Sequence, residues 1–271
     1  RGSERDRCCN PVLSREQGAM KISIHMPAYN TESTIGSALK SLLRQRDAGE
    51  LDIIVVDDGS TDSTRDAIGA LAATAPEIRL ICVPHGGISK ARNTALRATR
   101  PDTDLITFLD ADDLSPAGRL ARDAALLKAD PGLQFVYSKI RFFDLEDAEH
   151  LAPSAISHAV DGWIGQLGQA LFRREVLEAA GPFDETLQQS EDLDLWFRIF
   201  AEQPKYAVTE EIGVYYRKNH GSITENRRQF RQELMRTLFR HRKRQPKLGE
   251  LGLPQGFISA DHMAELRTWV K

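Results

Sequence analysis

Two hydrophobic periods alternate along the first half of this chain. Lys21 to Met26 places apolar residues at every second position and stops at Pro27, which predicts a strand running into a loop. From Thr34 to Arg46 the apolar residues Ile35, Ala38, Leu39, Leu42 and Leu43 recur at helical spacing. Leu51 to Val56, apolar but for Asp52, predicts a second strand; it ends in Asp57-Asp58-Gly59-Ser60 and leads into a Thr/Asp/Ser-capped helix through about Ala73. A third unit follows, with strand Ile78 to Val83, loop His85-Gly86-Gly87 and helix Ile88 to Ala98. The fourth strand, Leu105 to Leu109, closes on Asp110-Ala111-Asp112-Asp113. Such apolar strands between helices predict an α/β fold with a mostly parallel sheet covered on both faces. Ligands bind such sheets at the carboxyl ends of the strands, where all four polar loops fall.

A helix from about Pro116 to Lys128 and a strand from Gln134 to Ser138 extend the pattern, and then the rhythm changes. Gly162 to Gly168 is a glycine-rich loop carrying Trp163. A helix from about Arg174 to Ala180, a turn at Gly181-Pro182-Phe183-Asp184 and a helix over Leu193 to Ala201 follow, the last opened by Ser190-Glu191-Asp192. Tyr206 to Tyr216 reads as a strand or hairpin leg leading to Lys218-Asn219-His220-Gly221-Ser222. The expected organisation is a polar stretch at 1–19, read as a remnant, an upstream extension or a flexible tail; one domain at 20–224, divided into 20–133 and 134–224; and a basic helical tail at 225–271.

Composition narrows the partners. The 271 residues are 41% hydrophobic and 28% charged, as in soluble globular proteins, and the formal net charge of -3 argues against a general nucleic-acid binder. No run approaches the roughly 20 apolar residues of a membrane-spanning helix, so a cytoplasmic location is expected. The cysteines, Cys8, Cys9 and Cys82, form neither a disulfide framework nor a spaced metal site.

Acidic residues carry the candidate chemistry. Asp110 and Asp112 straddle one residue after a strand, and Asp58 closes another strand of the same expected sheet. Carboxylates brought together repel unless a cation or protons neutralise them, which suits Mg2+ or Mn2+ with diphosphate oxygens completing the shell. The other reading is that these aspartates only form turns or cap helices.

Pro27-Ala28-Tyr29-Asn30-Thr31-Glu32, Asp57-Asp58-Gly59-Ser60-Thr61-Asp62, Gly87-Ile88-Ser89-Lys90-Ala91-Arg92-Asn93, Asp110-Ala111-Asp112-Asp113 and Glu191-Asp192-Leu193-Asp194-Leu195-Trp196 resemble, in order, the motifs of glycosyltransferase family 2. The resemblance covers Met20 to about Thr224 and implies a GT-A fold, with a Rossmann-like nucleotide-binding half followed by an acceptor-binding region. It implies inverting transfer of a sugar from a nucleoside-diphosphate donor to the hydroxyl of a carbohydrate or lipid-linked acceptor, in cell-surface polysaccharide or glycolipid synthesis. It also implies that Pro27, Tyr29 and Glu32 border the nucleoside, that Asp58 contacts base or ribose, and that Lys90, Arg92 and Asn93 line the donor side. Asp112 would ligate the metal with Asp110 contacting ribose or supporting it, His220 would reach the metal or diphosphate, and Asp192, beside Glu191, would be the general base. Trp163 is the candidate contact for a sugar ring, whereas Trp196 fits a packed helix face.

Two other readings remain open at this level. A nucleotidyltransferase making sugar nucleotides would share the sheet, although Pro27-Ala28-Tyr29-Asn30 stands where its glycine-rich phosphate loop would be. A non-catalytic sugar-binding relative would keep the pocket without turnover. The segment 227–247 holds nine Lys or Arg residues and one Glu, with Phe230, Leu234 and Leu238 four apart. That basic amphipathic helix suits either an anionic membrane, on its inner face, or packing with a solvated basic side.

Overall fold

A computed structural model describes residues 19–218 and 227–244, with side chains in the second segment described for 232–243. Its first half is four strands, β1 (Lys21–Ala28), β2 (Glu50–Asp57), β3 (Ile78–Cys82) and β4 (Leu105–Phe108), linked by helices α1 (Ile35–Leu43), α2 (Thr64–Ala72) and α3 (Ile88–Ala98). All four strands are parallel, in the order β3-β2-β1-β4. Their carboxyl ends therefore share one edge, and the strand order reverses beside β1, which opens the ligand crevice between β1 and β4.

Pro27 marks where that crevice begins. Ala28 pairs with β2, its carbonyl accepting from Asp58 N, so the alternate residues His25 and Pro27 turn toward β4. Pro27 has no N–H to offer there, and the β1–β4 pairing stops at His25 and Phe108. β4 then leaves the sheet through Leu109 and delivers Asp110 to Asp113 above the gap.

The second half is α4 (Arg119–Ala129), β5 (Phe135–Phe143), the short hairpin β6 (Glu146–Asp147) and β7 (Ala152–Pro153), β8 (Ala159–Gly162), β9 (Ala170–Arg173), α5 (Arg174–Ala180), α6 (Glu191–Ala201), β10 (Tyr206–Arg217) and α7 (Arg227–Arg244). β9 enters antiparallel between β4 and β5, and β10 lies parallel to β5 at the edge, so the order is β10-β5-β9-β4-β1-β2-β3 with β8 also on β5. The fold is thus the expected α/β sheet flanked by helices. β9 itself, four residues long, has no separate periodic signal in the glycine-rich region from which it emerges.

Both faces of the sheet are buried. Ile22, Ile24, Met26, Ile53 and Val55 pack with Ile35, Leu39, Leu42, Ile68 and Leu120 on one side. On the other, Ile106, Phe108, Phe135, Tyr137 and Phe172 pack with Leu177, Leu195, Trp196 and Phe200. Trp196 is fully enclosed, as the α6 pattern predicts. Gln45 ties the loop after β4 to α1: its amide donates to Ser115 Oγ at 3.0 Å and its oxygen accepts from Leu120 N at 3.0 Å.

On α7, Leu234 and Leu238 are only partly covered, and the buried face carries Glu233, Thr237 and His241. Polar pairing overrides the apolar stripe: Glu233 accepts hydrogen bonds from the chain before α6, and His241 stacks on Phe197 at 5.1 Å.

Candidate functional site

The loops after β1 and β2 are laced together by hydrogen bonds. Asn30, at φ 51, donates from its amide to Ser60 Oγ at 3.0 Å and accepts from Thr61 N at 2.9 Å. Glu32 accepts from Ser63 N at 2.9 Å, and its own amide donates to Asp62 at 3.1 Å. Asp57 accepts from Ser60 N and from the Arg65 guanidinium, which outweigh its burial and hold its carboxyl below the usual range. Asp57 is thereby a turn anchor, and Asp58 points the other way.

The Asp58 carboxylate receives Gly86 N at 2.9 Å and Gly87 N at 2.8 Å, the latter the residue that caps α3. His85 Nδ1 lies 2.9 Å from the same carboxylate, and the His85 ring stacks on Tyr29 with centroids 4.2 Å apart. Tyr29 is exposed, so the outer part of this pair is open to solvent. Lys90, one turn into α3, folds its stem over Gly86, where a Cβ would come within 2.4 Å of Lys90 Cδ. Asp58 therefore sets the position of a three-residue loop and of the helix that follows.

Arg92 on α3 is the hub of the site. Its Nη1 donates to Glu191 Oε1 at 2.6 Å and to Asp192 Oδ1, and its Nη2 donates to Asp110 Oδ1 at 3.0 Å. Burial alone would lower its pKa, but the charges of Asp192, Asp110 and Glu191 outweigh that and hold it more firmly protonated than usual. One guanidinium thus gathers the acid after β4 and the acids that begin α6, residues about 80 positions apart in the chain. Of the residues expected on the donor side, Arg92 spends its donors on carboxylates. Asn93 is buried and bonds to Phe183 N, Phe183 O and Glu185, which makes it a strut for the 183–185 turn.

Three carboxylates around one cation leave excess negative charge. Burial pushes Asp192 up; Arg92 pulls it back and Glu191 and Asp110 push it further, to about 7. Leu167 N donates to its second oxygen at 3.4 Å. Glu191 is likewise raised, by burial first. Asp113, fully buried, is raised well above the usual carboxylate range by burial and then by Asp112 and Asp110.

Gln166 bridges Asp113 at 2.8 Å and Asp110 at 3.3 Å through its amide nitrogen. Arg217, closing β10, donates to the Asp112 carbonyl at 2.5 Å, to Ser37 Oγ at 2.5 Å and to Glu146 at 2.7 Å, while its amide reaches Asp113 at 3.3 Å. These two residues escape sequence reading, being single polar residues in a loop and at a strand end with no spacing that ties them to the aspartates; His85 and Asp113 fall in loops that the sequence places at the ligand edge, without a role of their own. Trp163 is half-buried against the second core cluster, with Lys139 Nζ 4.7 Å from its ring centroid.

For a metal, Asp110 and Asp112 offer hard carboxylate oxygens at the crevice. No group of three or more His, Cys, Asp or Glu among the described residues forms a cage. That donor set fits Mg2+ or Mn2+, ions commonly held by one or two carboxylates and completed by substrate phosphates. His220 lies outside the described residues.

The family model described as glycosyl transferase family 2 matches residues 23–181. WfgD of Escherichia coli, a UDP-Glc:alpha-D-GlcNAc-diphosphoundecaprenol beta-1,3-glucosyltransferase, is 29% identical over 213 residues, covering 76% of this chain and 80% of its own. Among solved structures, S. aureus TarS 1-349 in complex with UDP-GlcNAc aligns with a TM-score of 0.63 at 21% identity, over 76% of this chain and 61% of that one. The mannosyltransferase PcManGT from Pyrobaculum calidifontis, in complex with GDP-Man and Mn2+, aligns with a TM-score of 0.58 at 23% identity, over 82% and 64%. The match spans 72%, 63% and 60% of the lengths of three further relatives.

Proposed function

The chain belongs to glycosyltransferase family 2, and on that premise we propose that it transfers one sugar, with inversion, from a nucleoside-diphosphate sugar to the hydroxyl of a lipid-linked saccharide in polysaccharide or glycolipid synthesis. The observation that carries this reading is the Arg92 hub, which puts the acid that follows β4 beside the acids that begin α6. A transferase working by direct displacement needs a donor-side acid cluster and a base at one crevice. Membership in the family also removes the nucleotidyltransferase alternative.

In the proposed reaction the Asp192 carboxylate takes the proton of the acceptor hydroxyl while that oxygen bonds to the anomeric carbon. The bond from that carbon to the diphosphate oxygen breaks with its electron pair, and the nucleoside diphosphate departs from the opposite face. One in-line attack inverts the centre. Tyr29, stacked on His85, borders the nucleobase with Pro27 and Glu32; Asp58 shapes that wall through His85 and Gly86; Lys90 faces the diphosphate. Trp163 sits on the side of the sugar and the acceptor, within the half from 134 to 224. Mn2+ or Mg2+, held by Asp112 with support from Asp110, would neutralise charge on the leaving diphosphate, with His220 a further proposed ligand.

The acceptor reading draws on WfgD, whose own acceptor is a diphosphoundecaprenol-linked sugar. No helix among the described residues is long and apolar enough to cross a membrane, and the basic α7 is the surface proposed to meet an anionic inner leaflet.

The deciding experiment is a panel of UDP-, GDP- and dTDP-sugars with and without Mn2+, scored by thermal stabilisation and slow donor hydrolysis. A nucleotide at about 100 times its dissociation constant should stabilise the fold by about 2.7 kcal/mol. Stabilisation should require the divalent ion and vanish in Asp112→Asn. Stabilisation by a donor without any divalent ion would remove the role given to Asp112. Hydrolysis and transfer undiminished in Asp192→Asn would remove the base and favour another mechanism at the same crevice.

A further inference from the structure

We propose that Glu233 is a positioning residue for the general base, holding the chain that enters α6 at the angle at which Asp192 meets the acceptor hydroxyl; this rests on the reading of Asp192 as the base. Glu233 is the one acid in the basic stretch 227–247, and among exposed arginines it would ordinarily pair along its own helix. Instead it is only 5% exposed and turned inward. One of its oxygens, Oε2, accepts from Gln188 N at 2.9 Å and from Gln189 N at 2.8 Å.

Those two amides lie just before Ser190, the residue that opens α6. Ser190 makes no side-chain capping bond, so the first turn of α6 lacks the usual device that fixes a helix start. A carboxylate shared by two backbone amides does that work from outside, with charge-assisted bonds stronger than neutral ones. Asp192 follows three residues after Gln189 and inherits the orientation set there.

The other side of the same loop is gripped by α3. Ser89 Oγ donates to Leu187 O at 2.7 Å, and Asn93 bonds to Phe183 N at 2.8 Å and to Phe183 O at 3.0 Å. α3 also supplies Arg92, the partner of Asp192. The segment from 183 to 189 is therefore clamped between α3 and α7, and the proposed base stands at its exit. The ion pair of Arg240 with Asp184 and the stacking of His241 on Phe197 seat α7 for that task. Reaction rates are steep in such placements, since a displacement of about 1 Å costs about 100-fold.

The test uses the full chain carrying Glu233→Ala or Glu233→Gln, with Asp192→Asn as control. Hydrolysis of UDP-glucose, UDP-GlcNAc and GDP-mannose with Mn2+ reports turnover, calorimetry with UDP and GDP reports donor-side affinity, and amide exchange over 186–192 reports the clamp. In Glu233→Ala, turnover should fall about 10- to 100-fold while UDP or GDP affinity stays within about twofold, and exchange should speed up. Glu233→Gln keeps an acceptor oxygen and should recover most of the rate. Wild-type turnover in Glu233→Ala, loss of affinity in step with turnover, or no rescue by Glu233→Gln would each overturn the proposal while leaving Asp192 as base. Undiminished hydrolysis by Asp192→Asn would instead remove the base reading, and this one with it. Should Glu233→Ala not fold, Glu233→Asp keeps the charge but shortens the reach, and the same loss of turnover at intact affinity is expected.

Discussion

The Arg92 guanidinium meets the Glu191 carboxylate at 2.6 Å, with the two side chains only 2% and 7% exposed. Asp110 and Asp192 take its remaining reach, so a single cation offsets three acids inside the fold. Removing the one cation of such a cluster costs more than the cluster adds, because three carboxylates are left without a counter-charge inside the fold. Arg92→Ala should therefore lose about 3–5 kcal/mol in urea denaturation near neutral pH. Arg92→Lys should lose less, since it keeps the charge but cannot span three carboxylates with a planar fork. A loss below about 1 kcal/mol in Arg92→Ala would mean the acids are neutral or solvated and the hub is not electrostatic.

Asp192 gives the reaction a pH signature. Burial lifts its carboxyl to about 7 against the pull of Arg92, and a base must be ionised to accept a proton. Turnover at saturating donor should fall as pH drops through about 7, approaching tenfold per unit below it. Stability should run the other way. The raised carboxyl binds a proton in the folded state that the unfolded chain releases near pH 4, so its contribution is present at low pH and lost as pH rises through about 7. Asp192→Asn should thus abolish most turnover while raising the denaturation midpoint at pH 8. A turnover profile flat from pH 5.5 to about 8 in the wild type would contradict this assignment.

Strand ends make much of this site legible in the sequence. Asp58, Asp110 and the loop after β1 lie next to apolar runs, and the parallel sheet delivers all of them to one edge. Their roles were less legible, because partners chosen across the chain leave no local trace. Arg92 sits in a motif expected on the donor side, yet its neighbours in space are Glu191 and Asp192 from another helix. Gln166 and Arg217, which bond Asp110, Asp113 and the Asp112 carbonyl, come from a glycine-rich loop and the far edge strand. The buried face of α7 is hard to read for the same reason: Glu233 finds its partners on a loop about 45 residues away.

Gly59 has a conformational reason to be glycine. It sits at φ +74, and a Cβ there would stand 2.8 Å from His85 N. Gly59→Ala should cost about 1–3 kcal/mol through left-handed strain and push His85 away from Tyr29. If that stacked pair walls the nucleobase, UDP or GDP affinity should fall about tenfold beyond any thermal effect, as calorimetry at a temperature where both proteins are folded would read. Unchanged affinity would place the nucleobase elsewhere in the crevice.

The outer face of α7 combines grease and charge. Met235 and Phe239, one turn apart, are 65% and 60% exposed, and Lys243 Nζ sits 4.8 Å from the Phe239 ring centroid. Arg236, Arg242 and Lys243 are exposed around them. A helix of this kind lies in a bilayer interface, its apolar side chains sinking between headgroups while each nearby cation adds about 1 kcal/mol on an anionic leaflet. Co-sedimentation with phosphatidylglycerol vesicles is expected at low salt and should be largely lost in about 0.5 M salt, where the Debye length falls to a few ångströms. Met235→Ser with Phe239→Ser should weaken the low-salt binding about tenfold or more, because two apolar side chains no longer enter the interface. These substitutions leave Glu233, Thr237 and His241 on the inner face, so turnover on a water-soluble donor should be unaffected. Absence of binding at low salt would end the membrane reading and leave α7 as a helix whose work is done on its buried side.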